Sequence, residues 1–359
     1  MTASLSQLDT LIDSTPTRQP GNVLPTPAEL RRQIPLDHEL RQTLTEQRQA
    51  IQAILDGEDD RLLVVVGPCS VHDPRAVLEY AERLAALARR VEDRLLLVMR
   101  VYVEKPRTTV GWKGLAYDPH LDGSDDMAHG LALSRRLMRD VARLGLPVAS
   151  ELLQPMAVAY FDDLLAWAAV GARTTESQIH REMVSGLEAI VGFKNATHGG
   201  VGVAIDAMRA AAHGHRHFGM DLHGRPVMHE TQGNAYTHLV LRGGHGGPNY
   251  DAESVADSRR QLEEAGLRPN LMVDCSHANS RKDHRRQSEV LLDVLAQRLA
   301  GETALVGVML ESHLNEGKQA LEMEALRYGV SVTDACLGWE TTEQLLDLMA
   351  ARLRDNNPT

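Results

Sequence analysis

The chain has 359 residues, of which 43% are hydrophobic and 24% charged, a balance typical of globular proteins. Its formal net charge of −11 disfavours non-specific binding to nucleic acid or to an anionic membrane surface. It has no apolar run near the roughly 18 residues of a membrane helix, and no basic start followed by an apolar core, as in a secretory signal. Three scattered cysteines are too few for a disulfide framework. We therefore expect a cytoplasmic protein with reduced cysteines.

The beginning of the chain is rich in proline and polar residues and predicts an arm with one short helix. Its apolar residues, among them Val23, Leu24 and Ile34, favour an arm that packs on a partner subunit over a disordered tail. We expect residues 1–45 to form this arm and residues 46–359 to form a single catalytic domain. The protein should then be a homodimer or a homotetramer.

After the arm, apolar runs rich in β-branched residues alternate with amphipathic stretches. The eight strand candidates are residues 62–67, 95–102, 146–151, 168–173, 189–194, 238–243, 271–276 and 305–311. Eight strands that alternate with helices over about 250 residues predict a closed parallel (β/α)8 TIM barrel. The alternative is an open doubly wound sheet, including the version that binds a dinucleotide. The dinucleotide-binding version would need a G-x-G-x-x-G turn after its first strand, where this chain has GPCSVH.

The connection between the fifth and sixth strands is unusually long. Residues 213–236 contain the turn DLHGRP and predict an inserted β-hairpin. This segment carries five histidines, namely His213, His215, His217, His223 and His229. A metal cluster is one interpretation, but we favour solvated loop histidines.

Cationic residues cluster at or after the predicted strand ends, where the active site of such a barrel lies. They are Arg100, Lys105, Arg107, Arg173, Lys194 and Arg242. Six cations around one cavity would repel each other unless anions bind there, and guanidinium groups match phosphate and carboxylate oxygens in pairs. Because the whole chain is acidic, the cluster is local. It predicts a ligand with more than one phosphate or carboxylate.

Four further residues near these ends have side chains that suit a transition metal. They are Cys69, His277, Glu311 and Asp334. Thiolate, imidazole and carboxylate together suit one divalent ion of manganese, iron, cobalt or zinc, whereas magnesium would not favour the sulfur. No two of them share a short motif, so the alternative is a buried structural cysteine beside ordinary surface acids. The barrel prediction favours the metal, which would polarise a carbonyl oxygen as a Lewis acid.

Several long stretches are also recognisable, and they cover nearly the whole chain. They are GPCSVHDP, MRVYVEKPRTTVGWKGL, GARTTESQIHRE, GFKN, LRGG, SHANS, GVMLESHLNEG and SVTDACLGWE. They resemble the type I, microbial-class 3-deoxy-D-arabino-heptulosonate 7-phosphate (DAHP) synthases. The resemblance implies a (β/α) barrel transferase that condenses phosphoenolpyruvate with D-erythrose 4-phosphate and water. The products would be DAHP and inorganic phosphate, in the first step of the shikimate pathway.

The resemblance also implies roles for individual residues. The metal ligands of the family correspond to Cys69, His277, Glu311 and Asp334. Its phosphoenolpyruvate contacts correspond to Arg100, Lys105, Glu151, Ala172, Arg173, Lys194 and Arg242. Its erythrose 4-phosphate contacts correspond to Lys105, Pro106, Arg107, Thr108 and Asp334. Lys105, His277 and Cys69 would be catalytic, with Lys105 placed to protonate the developing alkoxide or to stabilise its charge.

The chain departs from the family pattern in two regions. Ala196 and His198 replace residues of the usual Lys-Asn-Gly-Thr-Asp-Gly, which we expect to alter local geometry rather than chemistry. In the second region, Val158 and Ala159 replace the Pro-Gln of an aromatic amino acid effector site, and Glu188 stands where regulated members have a small serine. We therefore expect weak or absent inhibition by phenylalanine or tyrosine, as in a copy dedicated to specialised metabolism.

Three other functions are compatible with parts of this pattern. They are a related sugar-acid phosphate synthase that uses arabinose 5-phosphate, a metal-dependent aldolase that releases no phosphate, and a catalytically silent binding protein. The Lys-Pro-Arg-Thr motif and the complete set of candidate ligands disfavour the first and the third. The basic run at residues 280–287 lacks interleaved aromatic residues, so it predicts a solvated helix start rather than a nucleic-acid site.

Overall fold

The computed structural model describes residues 21–107 and 109–356. Its strands are β1 (Leu62–Gly67), β2 (Leu95–Arg100), β3 (Val148–Glu151), β4 (Leu165–Val170), β5 (Ile190–Lys194), β6 (Arg216–Met220), β7 (Pro226–Glu230), β8 (Thr237–Leu241), β9 (Leu271–Asp274) and β10 (Leu305–Glu311). Eight of them close into a parallel barrel in the order β1-β10-β9-β8-β5-β4-β3-β2. The other two, β6 and β7, form a separate antiparallel hairpin. The TIM barrel and its inserted hairpin are thus confirmed.

Two helices precede β1, and the others lie between strands or after β10. The helices are α1 (Pro27–Gln33), α2 (His38–Asp56), α3 (Pro74–Val91), α4 (Met127–Arg143), α5 (Pro155–Val158), α6 (Gln178–Val184), α7 (Gly202–Ala211), α8 (Ala252–Glu264), α9 (Gln287–Leu299) and α10 (Trp339–Asn356). The start of α3 illustrates the local signals, because Pro74 is its first residue and the Asp73 carboxylate accepts from the backbone N–H of Arg75. Over the described part of the chain, no helix combines the length and apolarity needed to cross a membrane.

The strand predictions were right in number but not always in their bounds. The first and last barrel strands, β1 and β10, match the predicted runs residue for residue. The fourth was predicted three residues too late, because the six buried residues of β4 are LAWAAV, Leu165–Val170. The chain then turns at Gly171, whose carbonyl accepts from the N–H groups of Thr174 and Thr175. Arg173 therefore lies in a turn beyond the strand.

The segment before β1 packs on the barrel. Arg135 of α4 is almost fully buried; it donates to the carbonyl of Ile34 after α1 and pairs twice with Asp163, at 2.7 and 2.8 Å. Helix α2 runs without interruption across residue 45, the predicted boundary between arm and barrel. Residues 1–20 of the predicted arm lie outside the described part of the chain, so its contact with a partner subunit stays a prediction.

Inside the barrel, a tryptophan and a histidine share a buried hydrogen bond. The indole N–H of Trp167 donates to Nε2 of His238 at 2.9 Å, and both residues are fully buried. Gly192 leaves room for this pair, because a Cβ there would lie 2.5 Å from the Trp167 ring. Burial lowers the pKa of His238 to about 4, so the ring is neutral and can accept this bond.

We expect the stability of the fold to decrease below about pH 6.5 because of His238. The unfolded state takes up a proton near that pH, whereas folded His238 does so only near pH 4, so acid favours unfolding. This residue should remove about 2 kcal/mol of unfolding free energy between pH 7 and pH 5. Urea titrations of the His238→Gln variant should show a correspondingly smaller loss between these pH values. A loss as large as in the unsubstituted protein would contradict this assignment.

Candidate active site

Three of the four predicted metal ligands meet at the mouth of the barrel, which is the C-terminal end of its strands. The Sγ atom of Cys69 and one carboxylate oxygen each of Glu311 and Asp334 all lie within 4.8 Å of one another. The register of neighbouring strands produces part of this arrangement, because Gly67 pairs with Glu311 and Cys69 follows two residues later. A sulfur and two carboxylates make a candidate metal-binding group.

A hydrogen bond connects the loops that carry two of these residues. The hydroxyls of Ser70 and Thr333 lie 2.7 Å apart, and each stands next to a predicted ligand, Cys69 or Asp334. The Cys69 thiol also lies 3.5 Å from Oδ2 of Asp334. The loop between β10 and α10 is thereby held close to the end of β1.

Lys105 lies among these three residues. Its Nζ atom is 2.7 Å from Sγ of Cys69 and 3.7 Å from Oδ2 of Asp334. Burial disfavours the positive charge of Lys105. Its interactions with Cys69, Glu311 and Asp334 favour that charge more strongly, so the pKa of Lys105 is raised. Burial, together with the charge of Glu311, also raises the pKa of the Cys69 thiol to about 12. The thiol is therefore protonated at neutral pH, and a metal ion would have to displace that proton.

The fourth predicted ligand, His277, is not part of the group of three. Its Nδ1 atom lies 2.9 Å from Oδ2 of Asp274, the fully buried last residue of β9. The ring is nevertheless close to the group. Burial raises the pKa of the Asp334 carboxyl, but the charge of Lys105 opposes burial and lowers that pKa, and a protonated His277 ring would lower it further.

Arg100 ends β2 and is 1% exposed. Its Nη2 atom lies 3.2 Å from Oε1 of Glu311, and its guanidinium carbon lies 4.0 Å from the centre of the Tyr102 ring. Its Nη1 atom is buried and lacks a hydrogen-bond partner among the described residues. An unpaired buried donor is costly, so this atom indicates a position for an anionic oxygen.

The other predicted phosphoenolpyruvate cations lie on the opposite side of the mouth. Lys194 ends β5 and forms a buried ion pair of 2.8 Å with Asp274. Arg242 follows β8, and its backbone N–H donates to Oδ1 of Asn195. Burial lowers the pKa of Arg242. The negative charge of Asp274 opposes this decrease, whereas the positive charge of Arg173 adds to it. Arg173 is exposed, and its charge is near enough to Arg242 to affect that residue's pKa.

The remaining predicted residues differ in exposure. Glu151 ends β3 and is half-buried; its Oε1 atom lies so close to Gly171 that a Cβ there would be 2.4 Å away. Ala172 and Pro106 are also half-buried, whereas Arg107 is exposed. Thr108 lies outside the described residues. The Lys-Pro-Arg-Thr motif therefore runs from a buried lysine to an exposed arginine.

Three buried polar residues of the site were missed in the sequence. The Asp274 carboxylate contacts both Lys194 and His277. The side-chain oxygen of Asn195 accepts a hydrogen bond from the backbone after β8. Gln287 is fully buried in α9 and binds the backbone of Glu311 twice, through its amide N–H and its carbonyl oxygen, at 3.0 and 2.8 Å. The aspartate that ends the apolar run LMVD was a visible signal in the sequence, whereas Gln287 ends the basic run at residues 280–287 and gave none.

Together these features define a TIM-barrel enzyme that acts on anionic substrates. Buried cations converge on the C-terminal mouth, and a sulfur with two carboxylates lies beside them. Perturbed titratable groups at this end of a barrel are typical of an active site. This class of enzyme is indicated by the fold and by the residues at the mouth of the barrel.

Comparison with known proteins identifies the family. The sequence pattern of the DAHP synthetase I family matches residues 38–347. The Tyr-sensitive phospho-2-dehydro-3-deoxyheptonate aldolase of Escherichia coli (strain K12) is 52% identical over 326 residues, 90% of this chain and 91% of that protein. The tyrosine-inhibited enzyme of Schizosaccharomyces pombe is 48% identical over 338 residues, 93% of this chain and 91% of that protein.

A solved structure supports the same family. The phospho-2-dehydro-3-deoxyheptonate aldolase of Francisella tularensis SCHU S4 superposes with a TM-score of 0.93 at 43% identity, covering 95% of this chain and all of that one. The chain therefore belongs to the DAHP synthetase I family, and the resemblance found in the sequence is confirmed. Members of this family are metal-dependent and condense phosphoenolpyruvate with erythrose 4-phosphate in the first step of aromatic biosynthesis.

Proposed function

We propose that this chain joins phosphoenolpyruvate and D-erythrose 4-phosphate at the mouth of its barrel, using the residues described above. The observation that carries the proposal is the convergence of two features at one mouth of the barrel, although Asp334 of the first is exposed. One is the group of Cys69, Glu311 and Asp334, and the other is the set of buried cations that includes Arg100. The first suits a metal, and the second suits a substrate with several anionic groups.

The cations would hold the two substrates in position. For phosphoenolpyruvate, the proposed contacts are Arg100, Lys105, Glu151, Ala172, Arg173, Lys194 and Arg242. For erythrose 4-phosphate, they are Lys105, Pro106, Arg107, Thr108 and Asp334. Holding both reacting carbons in one orientation removes much of the entropic cost of a reaction between two molecules.

The reaction forms one carbon–carbon bond and breaks one bond to phosphate. The enol carbon of phosphoenolpyruvate attacks the aldehyde carbon, and Lys105 donates a proton to the resulting alkoxide. Water adds to the oxygen-bearing carbon of phosphoenolpyruvate, and inorganic phosphate leaves. One divalent ion of manganese, iron, cobalt or zinc, held by Cys69, His277, Glu311 and Asp334, would supply Lewis-acid polarisation of the aldehyde oxygen. His277 would also help to position the water.

An assay of phosphate release tests this proposal. Protein treated with a chelator should release phosphate only when phosphoenolpyruvate, erythrose 4-phosphate and one of these metals are all supplied. Arabinose 5-phosphate in place of erythrose 4-phosphate should give background rates. Comparable release with arabinose 5-phosphate would favour the related sugar-acid synthase, and no release with any of the metals would contradict the proposal.

We expect phenylalanine and tyrosine to inhibit this chain weakly or not at all. The names of its relatives include Tyr-sensitive and Phe-sensitive enzymes, and the resemblance implies that Val158 and Ala159 replace the Pro-Gln of the effector site. Glu188 adds a carboxylate that pairs with Arg48 at 2.5 Å and is 81% exposed. Titration with millimolar phenylalanine or tyrosine should leave the rate nearly unchanged. The Phe-sensitive Escherichia coli relative is the positive control, and half-inhibition of this chain at micromolar concentration would contradict the prediction.

We also propose that the chain is a homodimer or homotetramer that works in the cytoplasm. The hairpin supports assembly, because Phe218 and Met228 pair across it and are 100% and 65% exposed. Light scattering at micromolar concentration should give a multiple of the 39.5 kDa chain mass, and a monomer would contradict this proposal. The three cysteines are free and buried, which fits a reducing compartment.

A further inference from the structure

Asp274 is the meeting point of the two halves of the site. It ends β9, is fully buried, and has a proton donor on each side. Its Oδ2 atom lies 2.8 Å from Nζ of Lys194 and 2.9 Å from Nδ1 of His277. Its Oδ1 atom accepts from the backbone N–H and the hydroxyl of Ser276, at 3.0 and 2.6 Å. The metal side and the phosphoenolpyruvate side therefore share one carboxylate.

These contacts fix the protonation of His277. An ionised carboxylate only accepts hydrogen bonds, so Nδ1 must carry the proton that lies between the ring and Asp274. Ser276 requires the same arrangement. Its hydroxyl lies 2.7 Å from Nδ1, and because its own proton is directed to Asp274, its oxygen is left to accept from Nδ1–H. In the neutral ring, Nε2 then carries the lone pair that can bind a metal.

We propose that Asp274 is a positioning residue that presents Nε2 of His277 to the metal and at the same time holds Lys194 at the phosphoenolpyruvate side. This inference rests on the proposed function, because it assumes that His277 is a ligand. Histidine ligands commonly donate their other ring N–H to a carboxylate, which fixes the orientation of the ring and strengthens the ligand. Since Asp274 is fully buried, water does not compete for this bond.

Metal binding to the Asp274→Asn variant tests the proposal in the absence of substrate. The amide has the same shape, but it presents an N–H₂ group to donors that need an acceptor. We expect the Kd for cobalt or manganese, titrated into chelator-treated protein, to rise about 10- to 100-fold. The visible absorption of the cobalt-loaded variant should also change, because the His277 ligand changes. A purely structural role for Asp274 would not alter this spectrum.

Two further variants make the result specific. Asp163→Asn makes the same chemical change in a carboxylate that pairs with the buried Arg135, away from the barrel mouth, and should leave the metal Kd within about twofold. Cys69→Ser reports on the metal site itself. If Cys69→Ser weakens binding but Asp274→Asn does not, the role of Asp274 is overturned and the proposed function stands. If neither variant weakens binding, both proposals are contradicted.

Nitrogen NMR of histidine-labelled protein without metal gives a test that needs no variant, in case Asp274→Asn does not fold. The protonated nitrogen of the neutral His277 ring should be Nδ1. A ring protonated at Nε2 would overturn the proposal, since that tautomer leaves no lone pair where the metal needs one.

Discussion

Replacing Cys69 by alanine should lower metal-dependent turnover about 1,000-fold or more and leave the fold intact. The sulfur is the soft donor of the candidate metal group, and a Lewis-acid metal contributes several kcal/mol to a transition state, with each 1.4 kcal/mol worth a factor of ten in rate. The fold should survive because the substitution removes a single buried sulfur atom. Phosphate release and thermal unfolding, measured on the same preparation, check both statements.

Cys275→Ala is the matched control for this prediction. Cys275 is also fully buried near the end of a barrel strand, but it packs in the hydrophobic core, and its Sγ atom donates a weak hydrogen bond to the carbonyl of Val273, at 3.9 Å. Its loss should cost a similar amount of packing and leave turnover within a few-fold. Full metal-dependent activity in Cys69→Ala would contradict the assignment of the sulfur as a ligand.

Replacing Lys105 by methionine should lower kcat by a factor of about 100 to 10,000, the usual contribution of a positioned general acid. Methionine has a similar length but no proton to donate, and Lys105 is the cation that contacts the sulfur of Cys69. Metal affinity should not weaken, because the substitution removes a competing positive charge and no ligand. This separation of kcat from the metal Kd distinguishes a lost proton donor from a disrupted site.

Lys113→Met is the control for Lys105→Met. Lys113 is exposed, eight residues further along the same loop, and lies over the ring of Tyr117. Its loss should leave kcat within about twofold, as for most surface substitutions. If Lys105→Met retained more than a tenth of the kcat, or lost metal binding together with activity, Lys105 would not be the proton donor.

The barrel could be predicted because its strands are buried on both faces and therefore read as continuous apolar runs. In β1 and β10 the runs LLVVVG and LVGVMLE have clear limits, and the predicted bounds were correct. In β4 the apolar run continues through Leu164 before the strand and Gly171 after it. Periodicity alone does not show where the hydrogen-bonded ladder stops, so this strand was displaced.

The meeting of Cys69 with Glu311 was predictable in outline, since closing a barrel brings all its strand ends to one mouth. The role of Asp274 could not be predicted from the sequence. Its partner Lys194 belongs to β5, and β8 lies between β5 and β9, so the pair forms only across the barrel interior. The direction of the His277 ring likewise depends on its positive φ of 56°, which the sequence does not indicate.

A crystal structure of the protein with manganese and phosphoenolpyruvate would test the central claim most directly. We expect one anomalous peak with Sγ of Cys69 in its first coordination shell, together with His277, Glu311 and Asp334. The phosphate and carboxylate of phosphoenolpyruvate should contact Arg100, Lys194 and Arg242 beside it. A manganese ion bound away from Cys69, or phosphoenolpyruvate bound outside the mouth of the barrel, would contradict the account.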